Sequence, residues 1–279
     1  MTLSDAELER LIQLITARTG IIPRASHRDG IRNYAEKHLG AQKQSFAEYL
    51  VLLTTHSAEL EALVNESTVN ETYFFREEKQ FAFIRERLFP QWQSVFGAAP
   101  IRIWSAACSW GEEAYSLALL ARARGLRAQI TASDINTKAL EHCKLGAFRR
   151  SSVRESDGGS FLSLLAPFRA YDGSVVFDAD TRAMITTRKL NLAELDSPLV
   201  AAALPREQNI VFLRNVFIYF APELRARILR TVAEQCMAAG GYLFVSMSEI
   251  AQIDSTLMPP CLEKIVDGTV FYFHKKMEK

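Results

Sequence analysis

The 279-residue chain predicts an α/β fold: a mainly parallel sheet covered on both faces, with an antiparallel carboxy-terminal edge, a small helical bundle in front and a small β insertion. Three observations predict it. Up to about residue 68 the apolar residues recur only with helical spacing. From about residue 78, unbroken apolar runs of strand length alternate with amphipathic stretches of helix length. Two extended pieces, joined by a short turn, then close the chain. Strands that are apolar throughout, rather than at every second residue, are buried on both faces, which is the pattern of a parallel sheet under helices.

In the helical front, Ser4-Asp5-Ala6-Glu7 is a capping box, and Leu8, Leu11, Ile12 and Ile15 then share one helical face. Ser26 with Asp29 opens a second helix, striped by Ile31, Tyr34, Ala35 and Leu39 and expected to stop at Gly40. Ser45 with Glu48 opens a third, carrying Phe46, Tyr49, Leu50 and Leu53. A fourth starts at Ser57 and uses Leu60, Leu63 and Val64. Four short helices with brief connections make a bundle, so residues 1–68 are read as one domain, 69–77 as a linker and 78–279 as a second domain. That second domain opens with a helix near 78–96, a strand at 101–104, a small-residue turn and a helix from Gly111. A strand at 129–133 and a helix after Asn136 follow. Later come a buried strand at 210–213 and a helix opened by Pro222, with Leu224, Ile228, Leu229, Val232 and Cys236 on one face and a stop at Gly240-Gly241. A strand at 242–246 and the hairpin near 262–266 and 269–274 complete it. Residues 146–190 break the alternation and read as an inserted β-subdomain, with small strands at 174–177 and 183–190.

Composition narrows the function. Apolar residues make up 48% and charged residues 23%, enough to bury a core and too ordered a mixture for a disordered chain. Lys plus Arg less Asp plus Glu is 33 − 32 = +1, against the basic excess of a dedicated nucleic-acid binder. No uncharged apolar run approaches the roughly 18–20 residues of a membrane span, so no membrane insertion is expected. The first twenty residues are acidic and amphipathic, unlike a signal peptide. Cys108, Cys143, Cys236 and Cys261 are scattered, with no CxxC pair, which argues against structural zinc and disulfides and for the cytoplasm.

The chemistry concentrates after the first strand, because ligands of such sheets bind at the carboxyl ends of the strands near the first crossover. The turn there, Trp104-Ser105-Ala106-Ala107-Cys108-Ser109-Trp110-Gly111-Glu112-Glu113, has one glycine, where a dinucleotide pyrophosphate needs several. Asp134 ends the second strand, where a carboxylate can accept both hydroxyls of a ribose. One glycine plus that aspartate suits an adenosine cofactor without a pyrophosphate, namely S-adenosylmethionine. Glu112 stands three residues after Ser109, and a capping box is its plainer role. Glu113 is free to meet an ammonium group. Arg214 and Asn215 sit at the mouth of the expected cleft, followed by Phe217, Ile218 and Phe220, which read as core.

Together, Asn70-Glu71-Thr72-Tyr73-Phe74-Phe75-Arg76, WSAACSWGEEAYS (104–116), ASDIN (132–136), Asn191-Leu192 and LRNVFIYF (213–220) closely resemble the bacterial chemotaxis receptor glutamate O-methyltransferases, in order and over nearly the whole chain. The resemblance implies a class I S-adenosylmethionine-dependent methyltransferase (Rossmann-like) domain behind a helical one. It also implies methyl transfer to glutamate side chains of the cytoplasmic helical domains of methyl-accepting chemoreceptors, with S-adenosylhomocysteine as product. By motif, Asn70, Thr72 and Arg76 match linker positions that reach the cofactor and reacting centre. Glu113 matches the carboxylate on the cofactor's amino group and Asp134 the ribose-binding acid. Asn191, Leu192, Arg214 and Asn215 match the remaining cofactor wall, and Tyr219 an active-site tyrosine. The insertion at 146–190 matches a β-subdomain that in some members docks on a receptor's C-terminal peptide.

The sequence departs from that family at Trp110 (usually Thr), Ala114 (usually Pro), Asn209 (usually an acid) and Ser246-Met247 within the run ending at Glu249. Between residues 18 and 43 the basic residues outnumber the acidic by 6 − 2 = +4, and Arg24, Arg28 and Arg32 make a face on which an acidic receptor helix could dock. Two other classes compete. A nicotinamide-dependent dehydrogenase lacks its glycines here, and a non-catalytic receptor-binding adaptor has Trp110 beside the cofactor turn as its main support.

Overall fold

The computed structural model describes residues 2–156, 159–253 and 255–277. Four helices form the front: α1 (Asp5–Thr19), α2 (Ala25–Gln42), α3 (Phe46–Thr55) and α4 (Ser57–Ser67). The capping boxes at Ser4–Glu7 and Ser45–Glu48 both form, each serine oxygen taking the backbone N–H of the glutamate. Leu8, Leu11, Ile12 and Ile15 pack with Ile31, Ala35, Leu39, Phe46, Tyr49, Leu53 and Leu63 into one apolar core. α2 differs from expectation at both ends. It begins at Ala25, one residue ahead of Ser26, and runs through Gly40 to Lys43, whose left-handed backbone (φ 51°) ends it.

The second part begins with α5 (Glu78–Phe83), which passes through a widened turn at Ile84–Leu88 into α6 (Phe89–Phe96). Then come β1 (Ile101–Ala106), α7 (Glu112–Ala123), β2 (Ala128–Asp134), α8 (Thr137–Leu145), β3 (Ala147–Phe148), β4 (Val175–Val176), α9 (Ala179–Ala183) and β5 (Ile185–Lys189). The chain continues with α10 (Pro198–Ala201), β6 (Gln208–Leu213), α11 (Pro222–Thr231), β7 (Met237–Phe244), β8 (Leu262–Asp267) and β9 (Val270–Lys275). The main sheet has the order β5-β2-β1-β6-β7-β9-β8. Its first five strands are parallel neighbours, and β9 runs antiparallel to both β7 and β8. β1 lies at the centre of the five parallel strands, so the chain reverses direction across the sheet beside it, and a crevice opens at the carboxyl ends of β1, β2 and β6.

Two strand expectations need correction. The strand expected at 183–190 within the insertion is β5, an edge of the main sheet paired with β2 from Ile130↔Ile185 to Asp134↔Lys189. Among the described residues, the insertion's own sheet is the pair β3–β4. Gly240-Gly241 does not end a helix. After α11 the chain widens into a turn at Val232–Cys236, closed by the Met237 N–H on the Val232 carbonyl, and the glycines lie inside β7. They sit where the β6–β7 register shifts: Gly240 is left-handed (φ 71°), and a Cβ on Gly241 would lie 2.8 Å from the Ala238 carbonyl oxygen. The turn signal was real, but it marks a bulge.

The front is seated on the sheet domain by the corner between α1 and α2. Gly20 ends α1 with φ 71°, and a Cβ there would come within 2.4 Å of Leu224 Cδ2 and 3.0 Å of Ala193 Cβ. Gly20→Ala therefore adds both backbone strain and overlap. A loss of about 2–4 kcal/mol is expected in urea denaturation, and a change below about 0.5 kcal/mol would mean the corner is not seated this way.

Candidate active site

The crevice is a cleft of about 970 Å³, open mouth included. Its wall brings together every residue that the sequence assigned to cofactor or chemistry: Asn70, Thr72 and Arg76 from the linker, Glu113 from α7, Asp134 from the end of β2, Asn191 and Leu192 beyond β5, and Arg214, Asn215 and Tyr219 beyond β6. Several wall segments hold non-glycine residues in left-handed backbone: Phe75 and Glu77 in the linker, Ala107 and Ser109 in the turn, and Asn215 after β6. Such residues cost about 1–3 kcal/mol each and persist where the surroundings impose them.

The turn after β1 shows how. Gly111 has φ 107°, and a Cβ there would lie 2.5 Å from Cys143 Sγ, so glycine is required. The tight path aims the Ser109 N–H at Asp134 Oδ2 (2.8 Å), while the Asn136 N–H donates to Oδ1 (2.9 Å). Asp134 is buried, and burial pushes its carboxyl above the ordinary range against the pull of those N–H groups. Each oxygen keeps a lone pair for a further donor. Asn136 Nδ2 in turn donates to Thr68 Oγ1 (2.6 Å) and the Asn65 carbonyl (3.0 Å), tying the end of β2 to the end of α4.

Glu113 accepts from Ser105 Oγ (2.6 Å), and burial raises its pKa against the attraction of Arg214. Arg214 is enclosed, its side chain 1% exposed, with Nη1 3.5 Å from Glu113 and Nη2 3.8 Å from Glu77. Nη2 also donates to the Arg76 carbonyl (2.5 Å), and the guanidinium lies over the rings of Phe81 and Phe212. Asn191 spends its amide on the Arg18 carbonyl (2.9 Å) and the Ala193 N–H (3.1 Å), holding the end of α1 against the wall. Burial holds the Tyr219 phenol above its ordinary pKa, so it is a protonated donor at neutral pH and not a base.

Glu112 is not half of a capping box. Gly111 takes the cap position, Ser109 Oγ has no hydrogen-bond partner among the described residues, and the buried Glu112 carboxyl accepts from Ser152 Oγ (2.7 Å). Burial pushes it up to about 7. A folded value above the ordinary 4.5 means that the folded chain binds this proton more tightly. The stabilisation is full below about pH 4.5 and is lost as pH rises through about 7, a swing on the order of 3 kcal/mol. Glu112→Gln is therefore expected to melt higher than the parent at pH 8 and at the same temperature at pH 4. An equal difference at both values would contradict the assignment.

The departures from the expected motif fall outside the cleft wall. Trp110 packs edge-on against His142 (centroids 5.1 Å apart) and does not line the cleft. Ala114 is core, and Asn209 Oδ1 accepts the Arg102 N–H (2.9 Å) beside β1. The basic face of α2 is not bare, because α1 supplies partners that a count along α2 misses: Arg28 pairs with Glu9 (2.8 Å), and Arg32 with Asp5 (2.6 Å). Arg24 turns to the cleft side, donating to the Ile218 carbonyl (3.4 Å).

Residues 70–261 match the family described as CheR methyltransferase, SAM binding domain. The chain belongs to the CheR methyltransferase family. Similar proteins are the chemotaxis protein methyltransferases of Klebsiella aerogenes, 35% identical over 260 residues (89% of this chain, 84% of that one), and of Salmonella typhimurium, 32% identical over 260 residues (89% and 85%). That of Escherichia coli is 31% identical over 261 residues (89% and 86%). The cofactor of this CheR methyltransferase is S-adenosylmethionine, and the cleft fits it. Asp134 can take the ribose hydroxyls and Glu113 the ammonium. Three buried polar atoms without hydrogen-bond partners among the described residues, Ser109 Oγ and Arg214 Nε and Nη1, belong to residues of the wall, where a zwitterionic ligand would satisfy them.

Sequence reasoning missed two other kinds of residue. Thr19, Ile21 and His27 of the front line the same cleft, and nothing local in the sequence marks them. Glu249, fully buried, accepts the N–H groups of Asn215 (2.6 Å) and Ile218 (3.4 Å), and burial raises its pKa. Its signal was legible: Ser246 and Glu249 form a capping box three residues apart.

Proposed function

We propose that this chain transfers the methyl group of S-adenosylmethionine to glutamate side-chain carboxylates in the cytoplasmic helical domain of methyl-accepting chemoreceptors, in sensory adaptation. The products are glutamate methyl esters and S-adenosylhomocysteine. The observation that carries this reading is the convergence of two buried carboxylates, a guanidinium and a tyrosine on one cleft in a CheR methyltransferase chain.

The chemistry asks little of the protein. A glutamate with a pKa near 4.3 is already ionised at pH 7, so no general base is needed. When bound, the cofactor supplies an electrophilic methyl on a sulfonium. The methyl would pass to one oxygen of the substrate carboxylate as its bond to sulfur broke, the electron pair of that bond staying on sulfur. The protein must hold that oxygen in line, roughly 3 Å from the methyl, and exclude water. Arg76 suits the orienting role. Its Nη1 donates to the Glu71 carbonyl (3.0 Å), and among the described residues it has no ion-pair partner, so its charge is available to a substrate carboxylate. Tyr219 shapes the pocket as a neutral phenol. Asp134 and Glu113 hold ribose and ammonium, with Asn70, Thr72, Asn191, Leu192, Arg214 and Asn215 as the rest of the cofactor wall.

The same reading assigns the protein to the cytoplasm, with residues 1–68 as a receptor-facing helical domain, 69–77 as the active-site linker and 78–279 as the methyltransferase domain. Among the described residues, no helix is long and apolar enough to cross a membrane. Arg28 and Arg32 would meet a receptor as half-neutralised pairs, so they aid encounter more than affinity. A receptor C-terminal peptide would dock on the small β-subdomain. The adaptor reading loses its main support with Trp110 turned away from the cleft. Methyl-tritiated S-adenosylmethionine incubated with a receptor cytoplasmic fragment tests the proposal: label should move to the receptor, and label that stays with the cofactor would overturn it.

A further inference from the structure

We infer that His27 is a positioning residue of the methyl-transfer site, acting through Tyr219; this rests on the reading of the cleft given above. The backbone that carries Tyr219 is held from two sides. Glu249 takes the N–H groups of Asn215 and Ile218, and the Tyr219 carbonyl accepts the Ile22 N–H at 2.8 Å. Neither contact fixes the phenol ring, whose second torsion is intrinsically broad.

The ring is instead met by the corner between α1 and α2. The His27 imidazole, 5% exposed, lies with its centroid 5.4 Å from that of Tyr219 at an interplanar angle of 44°, and the Arg24 guanidinium stands 5.5 Å from the same ring centre. His27 is itself aimed: the Arg24 N–H points at its Nδ1 (3.4 Å), so the proton of the neutral ring belongs on Nε2. Burial, helped by Arg24, holds its pKa below the ordinary histidine value, so the ring remains neutral and packs as a flat aromatic surface. Gly20, which tolerates no side chain, brings the corner this close to the sheet domain. The helical front thus completes the active site as well as flanking it.

The test uses the full chain labelled with fluorotyrosine, in which the Tyr219 fluorine resonance is the one lost in Tyr219→Phe. In His27→Ala, that resonance should shift or broaden, and kcat on a receptor fragment should fall at least tenfold. The Kd for S-adenosylhomocysteine should stay within twofold, and His27→Phe should restore both the resonance and most of kcat. An unmoved Tyr219 signal would overturn the inference, as would a loss of S-adenosylhomocysteine affinity equal to the loss of kcat. Should His27→Ala not fold, His27→Leu fills the volume without a flat ring and is read the same way. A wild-type chain that methylates no receptor fragment would sink the parent reading alone, because the resonance reports ring position without turnover.

Discussion

Replacing Asp134 with asparagine is expected to weaken S-adenosylhomocysteine binding at least about 100-fold in calorimetric titration while moving the melting temperature by only a few degrees. Hydrogen bonds to a charged acceptor are worth about 1.5–3 kcal/mol each, so losing the charge beneath two ribose hydroxyls costs about 3 kcal/mol or more. The folded state loses less. Asparagine keeps an acceptor oxygen for one of the N–H groups of Ser109 and Asn136 and turns its NH2 to the other, a cost offset by removing a buried charge whose desolvation raises the carboxyl pKa. The same shift sets the pH dependence. Because the folded carboxyl titrates above its ordinary value, binding should weaken as pH falls and should begin to do so above the usual aspartate range. Asparagine binding within threefold of the parent would remove Asp134 from the cofactor site.

Arg76→Ala should cut kcat for receptor methylation by about 100-fold or more, roughly 3 kcal/mol of transition-state stabilisation, while S-adenosylhomocysteine affinity falls less than tenfold. Arg76 reaches the cleft from backbone held at its own residue and at the one before it. The Phe75 N–H donates to Ser116 Oγ (3.0 Å), and the Arg76 carbonyl accepts from Arg214. Deleting the guanidinium therefore removes the orienting charge and leaves the linker in place. Arg76→Lys is expected to recover only part of the rate, because an ammonium lacks the planar fork that grips both carboxylate oxygens. Near-normal turnover in Arg76→Ala, measured with saturating cofactor, would assign the orientation of the substrate elsewhere.

What was legible in the sequence follows from the range of the signals. Asp134 and Glu113 could be read because a parallel sheet exposes its strand ends on one side, so a residue's place in its own element already says that it faces the cleft. Capping boxes at Ser4 and Ser45 span three residues and formed as read. Glu112 carries the same three-residue signature with Ser109, yet Ser109 is forced into left-handed backbone by the turn, and the glutamate's partner, Ser152, lies on a different element. β5 was assigned to the insertion because an edge strand needs no continuous apolar run, and Ile-Thr-Thr-Arg-Lys offers none. The pairing of Arg28 with Glu9 and the seat of His27 against Tyr219 are contacts between elements far apart in the chain, which no single-sequence pattern encodes.

The proposed product is an ester on a glutamate side chain, which mass spectrometry reads directly. A receptor cytoplasmic fragment incubated with this chain and S-adenosylmethionine should gain methyl groups on glutamate residues, and mild alkali should remove them as methanol. Methylation that survives alkali, or that maps to a residue without a carboxylate, would contradict the account.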